Sequence, residues 1–274
     1  MAQTKQQILS HLASAGTHPK HRFGQNFMID QNIVRLIVDA AQVIRDDTVI
    51  EVGPGTGTLT DELLERAGKV IAVEIDRDLA GVLRETFGQR DNFMLIEGDA
   101  LNGKHAVHPA LHALIVPGHT KLVANLPYNI ASPLVIELLL AGVQTLVFTV
   151  QKEVADRLKA KEDTSDFGPL TVMAQMLADV EVLRTLSPGA FWPAPKIDSS
   201  LVRMTRNDKL GSHARDFGLF VHKVFSFRRK TLRKAIDMAG YVVPLAELGI
   251  EETIRAESLS PGTFWRMYEA RVRS

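Results

Sequence analysis

Apolar residues along this chain alternate between short continuous runs and stretches of helical periodicity. The runs at 48–52, 70–73, 93–96, 121–124 and 145–150 predict buried strands. Ahead of them, Ile33, Leu36, Ile37 and Ala40 share one helical face, and helices are also predicted between them at 59–67 and 133–141 and after them at 151–161 and 170–177. Ile8, Leu9 and Leu12 predict an N-terminal helix ahead of a loose approach through Gly16-Thr17-His18-Pro19. A weak strand at 180–183 and a better one at 199–205 follow. Strands alternating with helices predict an α/β fold: a doubly wound, Rossmann-like sheet, mainly parallel and closed by late antiparallel strands. Beyond Arg206 the pattern is helical throughout, with a long helix at 217–239 and shorter amphipathic pieces after it. One domain at 1–205 and a small all-helical domain at 206–274 are expected, and no internal repeat is evident.

The length, 274 residues, accommodates one full α/β domain with a smaller appendage. At 45% hydrophobic and 23% charged residues, the composition is that of an ordinary soluble globular protein. There is no cysteine, which excludes disulfides and thiolate metal sites and fits a reducing compartment. Residues 1–7 lack an apolar signal core, and the most apolar stretch, 134–143, is too short to span a bilayer and contains Glu137. A cytoplasmic protein without membrane association is expected. The 32 Lys/Arg balance 32 Asp/Glu, yet 196–240 holds eleven basic residues against four Asp. That local excess of 11 − 4 = +7 leaves −7 for the remainder, an asymmetry that marks a basic face.

The candidate chemistry lies at strand ends. The first strand runs into Gly53-Pro54-Gly55-Thr56-Gly57-Thr58 and then a helix, a combination that lets a ligand approach the backbone closely. Glu74 ends the next strand, 21 residues beyond Gly53, within reach of a ribose diol. Asp99 follows the third strand, and Asn125-Leu126-Pro127-Tyr128 follows the fourth. Leu-Pro keeps the residue before proline out of the helical region. The tetrapeptide is thus a stiff loop holding an amide and an aromatic face in fixed relation, suited to a flat, hydrogen-bonding nucleobase. A nicotinamide-binding turn wants Gly-x-Gly-x-x-Gly, whereas Thr58 stands where its third glycine would fall. Functional residues at the ends of strands one to four favour S-adenosylmethionine instead. Glu74 would hold the ribose hydroxyls and Asp99 the adenine amino group, with the 125–128 loop facing the methyl. His105, His108, His112 and His119 follow one another at spacings of 3, 4 and 7 without a carboxylate cluster, so 102–120 reads as a solvated insertion and no metal is expected.

Five blocks in order resemble the ribosomal small-subunit RNA adenine dimethyltransferases: Phe23-Gly-Gln-Asn-Phe27, Glu51-Val-Gly-Pro-Gly-Thr-Gly57, Asn125-Leu-Pro-Tyr-Asn-Ile130, Pro193-Ala-Pro-Lys-Ile-Asp-Ser199 and Arg228-Arg-Lys-Thr-Leu232. The match covers roughly residues 20–260, and five ordered blocks are far more specific than one. The resemblance implies a class I methyltransferase sheet, with 1–47 covering substrate and cofactor, and an RNA-binding helical domain. It implies S-adenosylmethionine as donor and S-adenosylhomocysteine as product. Gln25, Asn26, Met28, Gly53, Gly55, Glu74, Asp99, Ala100 and Asn125 would contact the donor. Asn125, Leu126, Pro127 and Tyr128 would form the catalytic loop, and Phe191 would sandwich the target base. Two adjacent adenosines of ribosomal RNA, in a small subunit or its precursor, would each receive two methyls, with a role in subunit biogenesis. The protein is expected to act as a monomer.

Lys20, Arg22, Lys196, Arg228, Arg229, Lys230, Arg233 and Lys234 are the expected phosphate contacts. Two departures from the pattern stand out: Met28 where leucine is usual, and a longer 102–120 segment. Adenine's amine is a poor nucleophile, so a neutral route is expected. The Asn125 carbonyl and a backbone carbonyl of the Leu126–Pro127 turn would accept from the amino group and aim its lone pair at the methyl. Two rivals remain at this point. One is a large-subunit rRNA methyltransferase of the macrolide-resistance type; the other is a non-catalytic RNA-binding assembly factor.

Overall fold

The computed structural model describes residues 3–103 and 106–273. The chain divides into two compact units, Met1–Ala155 with Glu181–Arg206, and Asp156–Val180 with Asn207–Ser274. The second unit therefore begins earlier than the expected boundary near Arg206, because it also takes in 156–180.

In the first unit, helix α1 (Lys5–Ser14) precedes a two-residue strand β1 (Phe27–Met28) and helix α2 (Gln31–Ala40). Strands β2 (Thr48–Val52), β3 (Lys69–Glu74), β4 (Phe93–Glu97), β5 (Thr120–Asn125) and β6 (Thr145–Gln151) follow, interleaved with helices α3 (Thr58–Arg66), α4 (Arg77–Phe87), α5 (Pro109–His112) and α6 (Ala131–Leu140). The chain then passes through α7 (Lys152–Leu158) and, in the second unit, α8 (Pro169–Leu177) before β7 (Ala178–Leu186), β8 (Phe191–Trp192) and β9 (Ser199–Arg206). Among the described residues, seven strands form one sheet in the order β4-β3-β2-β5-β6-β9-β7. The first five run parallel, and β9 lies antiparallel to β6 from Thr145↔Thr205 to Gln151↔Ser199.

Burial explains the continuous apolar runs, since helices cover a parallel sheet and its strands need apolar residues on both sides. Ile33, Val34, Ile37 and Val38 of α2 share one core with Val49, Leu63, Leu64, Val70, Val123 and Val147. Asp30 caps α2 by accepting from the N–H groups of Asn32 and Ile33. The 102–120 segment is less solvated than expected. Leu111 of α5 and Val107 are buried, and His108 caps α5 through Nδ1, which accepts from Ala110 N–H at 3.3 Å. His105 lies outside the described residues.

In the second unit, α8 packs with α9 (Ala214–Phe225) and α11 (Pro261–Ala270) around Phe217, Phe220 and Phe264, all fully buried. Helix α10 (Leu232–Met238) and a ribbon of β10 (Tyr241–Val242) with β11 (Val272–Arg273) complete it. The single helix expected at 217–239 is broken. Arg228 and Lys230 close tight turns onto the carbonyls of Phe225 and Phe227, and Thr231 is extended at φ −60°, ψ 153°. Leu232 N–H then binds Ile254 O at 2.7 Å instead of a preceding turn. Arg228, Arg229 and Lys230 thus sit on an interhelical turn.

Candidate active site

Strand order reverses between β2 and β5, and a cleft opens at their carboxyl ends, where doubly wound sheets bind ligands. Gly53 and Gly55 line it with φ of +70° and +63°, a region side chains disfavour. Space requires glycine as well. A Cβ on Gly53 would lie 3.0 Å from Pro127 Cγ, and one on Gly55 would lie 3.0 Å from the Phe27 ring. The glycine turn and the 125–128 loop are therefore in direct contact.

Glu74 ends β3 almost fully buried. Its carboxylate accepts from Asp76 N–H at 2.9 Å and Gly55 N–H at 3.3 Å. Burial pushes its pKa up to about 7, against those N–H groups, which favour the charged form. Glu51, on β2, lines the same cleft, and its Oε2 accepts from Thr60 Oγ1 at 2.6 Å. Burial raises it further, to about 8; the Thr60 hydroxyl opposes this and the Glu74 charge adds to it. Sequence reasoning gave Glu51 no role of its own. The signal was an acid inside an otherwise apolar strand. Asp99 is exposed on the cleft wall beside buried Ala100, and its Oδ1 accepts from Leu101 N–H at 3.0 Å.

The rim is strapped by the N-terminal segment. Gln3 donates to Thr56 O at 2.8 Å and accepts from Thr56 Oγ1 at 2.7 Å. Lys20 Nζ reaches both Asp76 and Asp78 at 2.6 Å, and Gln25 Nε2 donates to Asp76 Oδ2 at 2.8 Å. Lys20 is thereby corrected as a phosphate contact, because two carboxylates already neutralise it and its side chain is only 19% exposed. Gln25 lines the cleft with its amide committed at both ends, Oε1 accepting from Lys20 N–H. Met28 is buried and serves both the cleft wall and the core.

The four loop residues, Asn125 to Tyr128, all line the cleft. Asn125 Nδ2 donates to Asn26 O at 2.7 Å, and its Oδ1 accepts from Thr149 Oγ1 at 2.5 Å. The Tyr128 hydroxyl lies 2.8 Å from Ser199 Oγ, and burial of the ring raises its pKa. Phe191 is the correction here. It is 2% exposed, pairs with Met28 across the β1–β8 ribbon and sits in the core with Val123 and Leu201, so neither ring face is open to a base. Arg22 and Lys196 are exposed, Arg22 lying over the Phe23 ring at 4.6 Å. In the second unit Arg228 pairs with Glu257 at 3.3 Å and Arg233 with Glu252 at 2.7 Å, while Arg229, Lys230 and Lys234 are exposed.

A cleft at this switch point, with glycine-turn backbone and a buried acid on its walls, is how class I methyltransferases receive S-adenosylmethionine, and solved structures share the fold. A dimethyladenosine transferase from Plasmodium falciparum superposes with a TM-score of 0.73 at 24% identity, covering 88% of this chain and 95% of that one. The 23S rRNA methyltransferase ErmE gives 0.65 at 26% identity, covering 89% and 99%. Sequence narrows the class. Residues 16–271 match the ribosomal RNA adenine dimethylase family model, and the chain belongs to that family. A protein of Hahella chejuensis named ribosomal RNA small subunit methyltransferase A is 40% identical over 263 residues, 94% of each chain. The protein of that name from Streptomyces coelicolor is also 40% identical, covering 95% of this chain and 93% of its own. The activity is S-adenosylmethionine-dependent N6,N6-dimethylation of adenine in ribosomal RNA, with S-adenosylhomocysteine as product.

Proposed function

We propose that the targets are adenosines of small-subunit ribosomal RNA, two adjacent ones, modified in the small subunit or its precursor as part of subunit biogenesis. The similar proteins named for the small subunit support this choice over a large-subunit target. The observation that carries the chemical reading is the Asn125 side chain. Its nitrogen faces the Asn26 carbonyl, which leaves its oxygen as the group that can accept from an amino group in the cleft.

The bound donor supplies a methyl on a sulfonium; the rest is the work of side chains. Glu74, once ionised, accepts from the ribose diol, and Asp99 accepts from the adenine amino group of the donor. The target base is unstacked at a cost of about a few kcal/mol, and stacking on Tyr128 returns roughly 1–3 kcal/mol of that. Asn125 Oδ1 and a carbonyl of the Leu126–Pro127 turn accept from the target amine, which pyramidalises, takes the methyl from the sulfonium with its proton still in place, and then releases that proton to solvent. Arg22, Lys196, Arg229, Lys230 and Lys234 meet phosphate. On this reading the enzyme acts as a monomer in the cytoplasm, where it meets ribosomal particles. Among the described residues, no helix is long and apolar enough to cross a membrane.

The test is incubation with labelled S-adenosylmethionine and separated small and large subunits lacking the modification, followed by digestion to nucleosides. Dimethyladenosine from the small subunit or its precursor is expected. Label confined to the large subunit would assign the enzyme to the rival target.

A further inference from the structure

We propose that Thr149, a buried residue of β6 outside the cleft lining, is a positioning residue for methyl transfer because it fixes the orientation of the Asn125 carboxamide. The inference rests on the reading that Asn125 Oδ1 accepts from the target amine.

Strands β5 and β6 run parallel with Asn125 opposite Thr149, so the two side chains stand together on one face of the sheet. Thr149 is 0% exposed, and its hydroxyl donates to Asn125 Oδ1 at 2.5 Å. Asn125 Nδ2 donates in turn to Asn26 O at 2.7 Å. A backbone carbonyl can only accept, so nitrogen must face Asn26 and oxygen must face Thr149. The terminal torsion of asparagine is broad and soft, so one contact would leave the carboxamide free to swing. Two contacts at opposite ends hold it still. Threonine suits the task because its branched Cβ restricts the hydroxyl's own direction.

The Oδ1 atom has two lone pairs. Thr149 takes one and leaves the other for the target amine. Donation into Oδ1 makes it a slightly weaker acceptor, so the gain must lie in orientation, and orientation is felt in the chemical step rather than in donor binding.

Thr149→Val keeps the shape and removes the hydroxyl; Thr149→Ser keeps the hydroxyl. Both are assayed by single-turnover transfer from labelled S-adenosylmethionine to small subunits lacking the modification, beside donor affinity by calorimetry and thermal unfolding. Thr149→Val is expected to slow transfer about 10- to 100-fold with donor affinity near wild type, and Thr149→Ser to stay within about threefold of the native rate. A native rate in Thr149→Val overturns the proposal, and so does an equal loss in Thr149→Ser, which would make the effect one of packing. A loss confined to donor affinity overturns it too. A measurement on the wild-type protein does not depend on how any variant folds. The Asn125 side-chain amide, observed by NMR with asparagine labelled, is expected to be ordered, and rapid averaging would overturn the assignment. Asn125→Ala separates the two claims. If it is inactive while Thr149→Val is undiminished, only the positioning role fails; if it is active, the reading beneath it fails.

Discussion

At the scale of residues, the two buried acids of the cleft make its behaviour depend on pH. Ionised, Glu74 accepts from both hydroxyls of a ribose diol and does so more strongly than the protonated acid, and burial holds its pKa near 7. Donor affinity, measured by calorimetry between pH 5.5 and 8.5, is therefore expected to rise with pH and level off above about 7. A flat profile would show Glu74 already ionised at the acid end. Stability runs the other way. Glu51 and Glu74 have ordinary values of 4.5 and are raised to about 8 and about 7 in the folded protein. The native state thus holds protons that the unfolded chain has released. Their stabilisation is complete below 4.5 and is lost as pH climbs through the folded values. Thermal unfolding of the donor-free protein should fall across that window, at most about 1.4 kcal/mol per proton per pH unit. Glu51→Gln should remove its share of the slope. Asn125→Ala is expected to slow transfer about 100-fold or more, comparable to losing one preorganised group at a reacting centre, while RNA affinity stays native. The places of Glu74, Asp99 and Asn125 on the cleft wall were legible in the sequence because Glu74 and Asn125 end strands and Asp99 follows one closely. Thr149 was not, because a hydroxyl inside an apolar run carries no sign of the neighbouring strand it touches. Phe191 misled for a related reason: a Phe-Trp-Pro loop looks exposed until β8 is found paired with β1.

At the scale of elements, the 125–128 loop is fixed from three directions: Pro127 against Gly53, Asn125 against β6 and Tyr128 against β9. The third of these changes an expectation. If stacking needs only the ring, Tyr128→Phe should be mild. The structure adds that Ser199, fully buried, would lose its partner, which costs about 1–3 kcal/mol when a buried hydroxyl is left unsatisfied. Tyr128→Phe should therefore lower the unfolding temperature while sparing most of the transfer rate, and Tyr128→Ala should also weaken capture of the base. Native stability in Tyr128→Phe would mean that Ser199 finds another partner. The five parallel strands were readable because burial on both faces leaves continuous apolar runs, and α3 and α6 were expected between them, whereas α4 and α5 were not. The β1–β8 ribbon was not, being two residues long and formed across more than 160 positions. The break after α9 was also hidden. The 226–231 stretch keeps helical composition, and its break lies in tight turns at 228 and 230 and in Leu232 N–H, which binds a distant carbonyl, Ile254 O.

At the scale of the whole molecule, the basic excess of 196–240 is smaller than its count of charges. Arg203 pairs with Glu181, Lys209 with Asp179, Arg228 with Glu257 and Arg233 with Glu252. Lys196, Arg229, Lys230 and Lys234 are exposed and carry no acid partner among the described residues. Phosphate binding releases counterions for each cation that is free to neutralise one, whereas a paired cation must first give up its acid. The two sets should therefore separate in a salt titration. Replacing Arg229, Lys230 and Lys234 together by alanine should flatten the dependence of log affinity on log salt by about 2, at roughly 0.7 for each phosphate no longer neutralised. The Arg228→Ala, Arg233→Ala pair should move it much less, and donor affinity should be native in both. Binding to small-subunit RNA at 50 to 200 mM salt would be the measurement, about the range over which such electrostatic binding dominates. An unchanged slope in the triple variant would remove the second unit's turn from the RNA-binding surface. A larger effect from the paired arginines would mean that RNA displaces Glu257 and Glu252, making those ion pairs part of recognition.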